Sequence, residues 1–358
     1  MQPGQNQQML CAAEMLEGIE LPNGWKVVAK MAKSDTGGCF SIPYFVERQN
    51  GKTKQTAFLK ALNFRRILNE TDITKAMERH SRAFNFEKDT LELCRDKKLS
   101  RIATLIDAGQ YTPKNSLIPV AYIIFELAKG GDARKQLSAL KKFDLAWTLR
   151  TLHQVAVGLD QLHHGGIAHQ DLKPSNILFY EAFGAKIADL GCADTADKPS
   201  QSPRGTEPVA GDPNYAPPEL IYGDIALDWK IRRLGCDHYL LGNLVMFFLT
   251  HGGSFNAVFH SKISPQHHPL NWPHDYRSVL PYLNNAFEEA LDEIKATLPK
   301  PIQEQIIEIL RWLCHPDPKL RGHPKDISQL HGNQFNLQRV VSAFDRLASK
   351  AEHGILAY

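Results

Sequence analysis

Alternation of apolar and polar side chains dominates the first third of the chain. WKVVAKM (25–31), SIPYFVE (41–47) and TAFLKA (56–61) each predict a β-strand. RQNGK supplies an Asn50-Gly51 turn between the last two, which predicts a hairpin. RIATLIDAGQY and VAYIIFEL predict two further strands. Before them the period lengthens to that of a helix, beginning near Asp72 and running through FEKDTLELC. After Lys129-Gly130-Gly131 the helical period prevails. DLAWTLRTLHQVAVGLDQLHH carries apolar residues at helical spacing and stops at Gly165-Gly166, where a C-cap is expected. HYLLGNLVMFFLT predicts a buried helix, and IQEQIIEILRWLC and FNLQRVVSAFDRLASKAE predict amphipathic ones. Residues 1–23 are polar and Gln-rich, with one short helical pattern around Met9 to Leu16.

A strand-rich first third joined to a helix-rich remainder predicts an α+β protein of two lobes with a cleft between them. The expected divisions are an N-terminal extension (1–23), a small antiparallel lobe with one main helix (24–129), a larger, mostly helical lobe (130–350) and a tail (351–358). A chain of 358 residues can bury cores of that size. The near balance of 42 basic and 39 acidic residues gives no general case for a nucleic acid or a membrane surface as partner. Six scattered cysteines with no CxxC pair suit a reducing compartment. MQPGQNQQML lacks a basic region followed by an apolar core, and the most apolar run, Tyr239 to Leu249, is too short to span a bilayer. A cytoplasmic location is the expectation.

Candidate chemistry concentrates in HQDLKPSN, residues 169–176. Pro174 keeps this stretch out of a helix interior, so a loop presents the carboxylate of Asp171, the ammonium of Lys173 and the amide of Asn176 close together. In its setting the loop resembles the catalytic loop of the eukaryotic-type Ser/Thr protein kinase family. TAFLKA is similar to the third-strand lysine motif, and FEKDTLEL to the helix carrying the glutamate partner. FELAKGG resembles the hinge, with Phe125 as gatekeeper, and ADLG the metal-binding motif, with Leu190 for its usual Phe. GDPNYAPPE resembles the end of the activation segment. Cys236-Asp237 resembles the start of the helix whose Asp anchors the catalytic loop, and HPDPKLR the late motif whose Arg321 pairs with Glu219. Singly, Lys60 reads as an ordinary strand lysine and Glu87 as a solvated helix charge. Order and spacing across the whole set carry the resemblance, which runs from about Trp25 to about Lys350.

The resemblance implies a bilobal kinase fold that uses ATP with Mg²⁺ or Mn²⁺. It implies that Lys60, held by Glu87, meets the α- and β-phosphates, and that Asp171 orients the substrate hydroxyl and accepts its proton. Lys173 would neutralise the transferring phosphoryl group, and Asn176 and Asp189 would supply oxygen ligands to the metal. Gly37 and Gly38 would let backbone N–H groups approach phosphate. Ile42, Phe58, Phe125, Glu126, Ala128, Asp132 and Leu178 would line the nucleotide site. The implied activity is transfer of the ATP γ-phosphate to protein Ser/Thr hydroxyls, autophosphorylation included. A protein substrate is the expected partner, with no nucleic acid and no membrane, and the oligomeric state is left open.

Four departures qualify the resemblance. In SDTGGCFSIPYFV, Asp35 and Phe40 stand near the outer glycine positions of the phosphate loop. Gln170 stands where most of the family has an Arg that meets an activation-segment phosphate. It cannot form that charge-assisted pair, so activity is not expected to require phosphate on Ser200, Ser202 or Thr206. Asp212 replaces the usual Thr and puts a second carboxylate near Asp171 and Lys173. Phe58 replaces a small Ala; alternation puts it on the face of Lys60, over the adenine site and across from Leu178. His260, His267, His268 and His274 fit no common zinc spacing and read as a solvated insert that shapes substrate docking. Two alternatives stay open: a pseudokinase that binds nucleotide or partners, and a small-molecule phosphotransferase.

Overall fold

The computed structural model describes residues 12–31, 41–65, 70–114, 118–197, 209–329 and 332–356. Five antiparallel strands form the small lobe: β1 (Lys26–Lys30), β2 (Ser41–Asn50), β3 (Thr53–Leu62), β4 (Leu105–Tyr111) and β5 (Val120–Glu126), in the order β1-β2-β3-β5-β4. One face of the sheet buries Val27, Ile42, Tyr44, Leu59 and Ala61. Leu16 and Leu21 join the same core, and the Tyr44 hydroxyl donates to the Ala13 carbonyl at 2.7 Å. The chain from Ala12 onward is therefore built into this lobe. The β2–β3 hairpin turns one residue later than expected. Asn50 pairs with Thr53, and the loop is Gly51-Lys52 with Gly51 at φ 60, a Gly-first hairpin turn.

Helix α1 (Ile73–Asp96) starts where its sequence pattern does, because the Asp72 side chain accepts from the Lys75 N–H and caps it. It packs beside β4. The large lobe follows as α2 (Ala133–Ala139), α3 (Leu145–His164), β6 (Ile167–Ala168), β7 (Ile177–Tyr180), β8 (Gly184–Ile187), β9 (Asp194–Thr195) and α4 (Pro218–Ile221). It is completed by α5 (Gly235–Leu249), α6 (Phe255–Lys262), α7 (Tyr276–Thr297), α8 (Gln303–Cys314), α9 (Pro324–Ile327) and α10 (Gln338–Glu352). Every residue of α5 is buried, as its apolar run predicts. Two small sheets matter most for chemistry. The β6–β9 and β7–β8 pairs frame the loop at residues 169–176 and the Asp189 turn. Among the described residues no helix is long and apolar enough to cross a membrane.

The His-rich segment differs from expectation. His260 lies on α6, and His267 is buried, its ring stacked on Tyr282 at 3.8 Å. The Tyr222 hydroxyl donates to the His267 carbonyl. Aromatic neighbours from α7 give this stretch a packing partner, so it is only partly solvated. Helix α7 itself contains Pro281, which removes one backbone hydrogen bond. Burial of Val279, Leu283, Ala286, Phe287, Ala290, Leu291 and Ile294 along one face offsets that loss.

Candidate active site

A cleft of about 480 Å³ lies between the lobes. Strand β3 sends Phe58 and Lys60 into it, while Ala57 and Leu59 point into the small-lobe core. Lys60 Nζ lies 2.7 and 2.9 Å from the two oxygens of Glu87 and 3.2 Å from Asp189 Oδ1. Burial works against the Lys60 charge, but the carboxylates of Asp189 and Glu87 outweigh it and hold the ammonium above the ordinary lysine range. Lys60 in turn holds the Asp189 carboxyl below its usual range, against the effect of burial. The result is a cation fixed between two anions, facing the cleft.

The catalytic-loop stretch is anchored from below. His169 and Gln170 donate their backbone N–H groups to Asp237 Oδ2 and Oδ1 at 2.7 and 2.8 Å. Burial raises the Asp237 carboxyl, but hydrogen bonds and charges from His163, His169 and Gln170 outweigh it and leave it below its usual range. Gln170 sits at φ 66 and Asp189 at φ 65, a left-handed conformation uncommon for residues with side chains and found often at functional sites. Asp171 Oδ1 accepts from the Asp212 N–H at 2.9 Å, and its Oδ2 lies 2.9 Å from Lys173 Nζ. Asn176 Nδ2 donates to the Asp171 carbonyl at 2.8 Å and to Oδ2 at 3.3 Å. Burial opposes the Lys173 charge, but Asp171 outweighs it and raises this ammonium too. The Asp212 carboxylate lies 3.9 Å from Lys173, but its Oδ1 accepts from both the backbone and the side-chain N–H of Asn214 at 3.0 Å. Asp212 mostly closes its own turn.

Phe58, Phe125, Glu126, Ala128, Asp132 and Leu178 all line the cleft. Ile42 does not. Strand pairing sets Pro43 opposite Lys60 and Phe45 opposite Phe58, so Ser41, Pro43 and Phe45 face the cleft and Ile42 is fully buried in the small-lobe core. The sequence reading placed Ile42 one residue out of register, and in a strand that reverses the face. Pro43 is tolerated inside β2, and its carbonyl accepts from the Met31 N–H at 2.9 Å. Asp132 lines the cleft while also serving the fold. It caps α2 by accepting from the Lys135 N–H at 3.0 Å, and its other oxygen accepts from Arg134 Nε at 3.0 Å. Gly37 and Gly38 lie outside the described residues.

The Phe58 ring centroid lies 6.0 Å from that of Phe125, tilted by 42°. Two phenyl rings therefore narrow the same wall of the cleft. In Phe58→Ala, titration should show ATP affinity close to wild type and new binding of a bulky analogue such as N6-benzyl-ATP. The ring is half-buried, so its loss should cost about 1–3 kcal/mol of stability. Collapse of ATP affinity in a folded variant would make the ring a stacking platform, and an unchanged ligand profile would remove it from the site.

Three features of the site escaped the sequence reading. Lys186, on β8, donates to Glu126 Oε1 at 2.5 Å, and the Thr104 N–H donates to the same carboxylate at 2.9 Å. Together they brace the hinge from behind. Gly211 brings its backbone so close to the catalytic loop that a Cβ there would lie 2.3 Å from the Gln170 carbonyl oxygen. The only sequence sign was its place in GDPNYAPPE. The third feature is Arg233, for which spacing offered no sign at all; it lies buried beneath Gln170. The late motif behaves as its pattern suggested: Arg321 and Glu219, both buried, form a two-point pair at 2.8 and 2.9 Å.

The sequence matches the family model for the protein kinase domain over residues 27–331. The hormonally up-regulated neu tumor-associated kinase of Mus musculus is 25% identical over 223 residues, which cover 61% of this chain and 28% of that protein. Its homolog A from Xenopus laevis is 23% identical over 328 residues, covering 86% of this chain and 42% of its own. Aurora/IPL1-related protein kinase 2 of Caenorhabditis briggsae is 33% identical over 125 residues, 34% of this chain and 39% of its own. The chain spans less than half the length of each of these relatives. A match over most of the chain, on a two-lobed fold with Lys60, Glu87, Asn176 and Asp189 lining one cleft and Asp171 bonded to Asn176 at its side, makes this chain a member of the protein kinase family.

Proposed function

We propose that this chain transfers the γ-phosphate of ATP to serine and threonine hydroxyls of proteins, itself included. The observation that carries the reading is the completed charge set: Lys60 clamped by Glu87 and Asp189 on one side of the cleft, Asp171 bonded to Lys173 and Asn176 on the other. A fold alone does not fix an activity, and a module that merely binds nucleotide has no need of Asp171 and Lys173. Asp189 and Asn176 fit a hard divalent cation such as Mg²⁺ or Mn²⁺. Lys60 engages one Asp189 oxygen and leaves the other, and the Asn176 amide oxygen, which accepts from the Ser175 hydroxyl at 3.3 Å, keeps a second lone pair. A cation bound there supplies charge neutralisation to the phosphates. Lys60 holds the nucleotide's inner phosphates in place, Asp171 orients the acceptor hydroxyl and takes its proton, and Lys173 brings positive charge to the moving phosphoryl group. The activation-segment elements GDPNYAPPE and the Glu219–Arg321 pair favour a protein over a small molecule as acceptor.

The test uses the purified chain with γ-labelled ATP and Mg²⁺, alone and with myelin basic protein. Label should appear on serine or threonine of both proteins. An Ser200→Ala, Ser202→Ala, Thr206→Ala variant should keep activity within a few-fold, because Gln170 offers no guanidinium to a phosphate there. Tight Mg-ATP binding with no transfer would make the chain a pseudokinase. Loss of activity in the triple variant, reproduced by phosphatase treatment of the wild type, would overturn independence from an activation-segment phosphate.

A further inference from the structure

The Gln170 side chain points away from the cleft into the large lobe. Its Nε2 donates to the Arg233 carbonyl at 2.8 Å and to Asp237 Oδ1 at 3.0 Å, and its Oε1 accepts from Arg233 Nη1 at 3.1 Å. Arg233 is 1% exposed, and its Nε lies 2.8 Å from Asp194 Oδ2. Asp194 is 2% exposed and accepts from the Trp229 indole N–H at 3.3 Å through its other oxygen. Arg233 belongs to a π-helical turn, Lys230–Leu234, directly ahead of α5. Asp194 opens β9 and pairs there with Ala168 of β6. A buried charge is retained only when paired and hydrogen-bonded, and here one guanidinium joins the catalytic loop to the strand that follows the Asp189 turn.

We propose that Arg233 is a positioning residue for phosphoryl transfer: its ion pair with Asp194 and its bond to Gln170 hold the catalytic loop and β9 in working register, in place of a bridge between an arginine and an activation-segment phosphate. The inference rests on the kinase reading above. Gln170 immediately precedes Asp171, and Asp194 lies just beyond Asp189, so the pair ties together the two segments that carry the acidic residues. It is made of permanent charges within the chain, and its guanidinium is already committed. It lies beneath the loop and outside the lining of the nucleotide cleft. Loosening it should therefore slow transfer and leave nucleotide affinity alone.

The test compares Arg233→Gln, Asp194→Asn and the exchange variant Gln170→Arg/Arg233→Gln, which carries the guanidinium from the helix side to the loop side of the same Asp194. Transfer to myelin basic protein gives kcat, and titration with a fluorescent ATP analogue in Mg²⁺ gives affinity. Each single variant should lose on the order of tenfold or more in kcat, as a small misplacement of catalytic groups does, with nucleotide affinity unchanged. The exchange variant should recover most of the loss. If the single variants do not fold, Arg233→Met/Asp194→Leu removes both charges from the interior, and it should fold, bind nucleotide and remain slow. Wild-type kcat in folded Arg233→Gln or in Arg233→Met/Asp194→Leu would overturn this inference alone, as would an exchange variant no faster than the singles. A wild type that transfers no phosphate would overturn the kinase reading and this one with it.

Discussion

Asp171→Ala should lower phosphoryl transfer by roughly 10²- to 10⁴-fold while Mg-ATP still binds. The side chain is held by the Asp212 N–H at 2.9 Å, by Lys173 at 2.9 Å and by Asn176 at 3.3 Å, all within the loop and the segment that packs on it. None of these contacts involves Lys60, so removing the carboxylate leaves the Lys60 ammonium with its partners Glu87 and Asp189. Asp189→Ala should behave differently. Asp189 lies 3.2 Å from Lys60, and it is one of the two residues proposed to hold a divalent cation. Its loss should abolish transfer to a similar extent and weaken Mg-ATP binding as well. Labelled transfer and nucleotide titration on the two variants separate the roles. Wild-type transfer in Asp171→Ala would remove that residue from the chemistry. Undiminished Mg-ATP affinity in Asp189→Ala would remove that one from the metal site.

Gly211→Ala adds a single methyl and should still cost about a hundredfold in kcat, the loss that a shift of about 1 Å can cause. The methyl would lie 2.3 Å from the Gln170 carbonyl oxygen, 2.7 Å from Asp171 Oδ1 and 2.9 Å from Asp171 Cα. Two of these three atoms are backbone, and their loop is pinned by Asp237 at 2.7 and 2.8 Å, so it cannot give way. The activation-segment end must move instead, taking with it the Asp212 N–H that holds Asp171. Nucleotide affinity should be unaffected, because Gly211 does not line the cleft. Steady-state kinetics beside nucleotide titration gives the answer, and a wild-type kcat in the folded variant would show that the close approach has no part in positioning Asp171.

Local rules in the sequence determined much of this molecule. Period and capping set α1 from Asp72, the fully buried α5 and the strands of the small lobe. Order and spacing across several short motifs carry the resemblance to the kinase family, and that resemblance singled out Lys60, Glu87, Asp171, Lys173, Asn176 and Asp189. Tertiary structure alone decided the face of Ile42. In β2 both faces are apolar, one meeting the lobe core and the other the cleft, so alternation cannot tell them apart and only pairing with β3 does. Helix α7 survives Pro281 because its apolar face is buried, which no local count of hydrogen bonds predicts. Arg233, Asp194 and Gln170 meet from three separate segments, and Gly211 matters for the atoms it approaches rather than for its neighbours in the chain. A buried ion pair and a close backbone approach are settled by which segments the whole packing brings together, and no repeating spacing in the sequence records that choice.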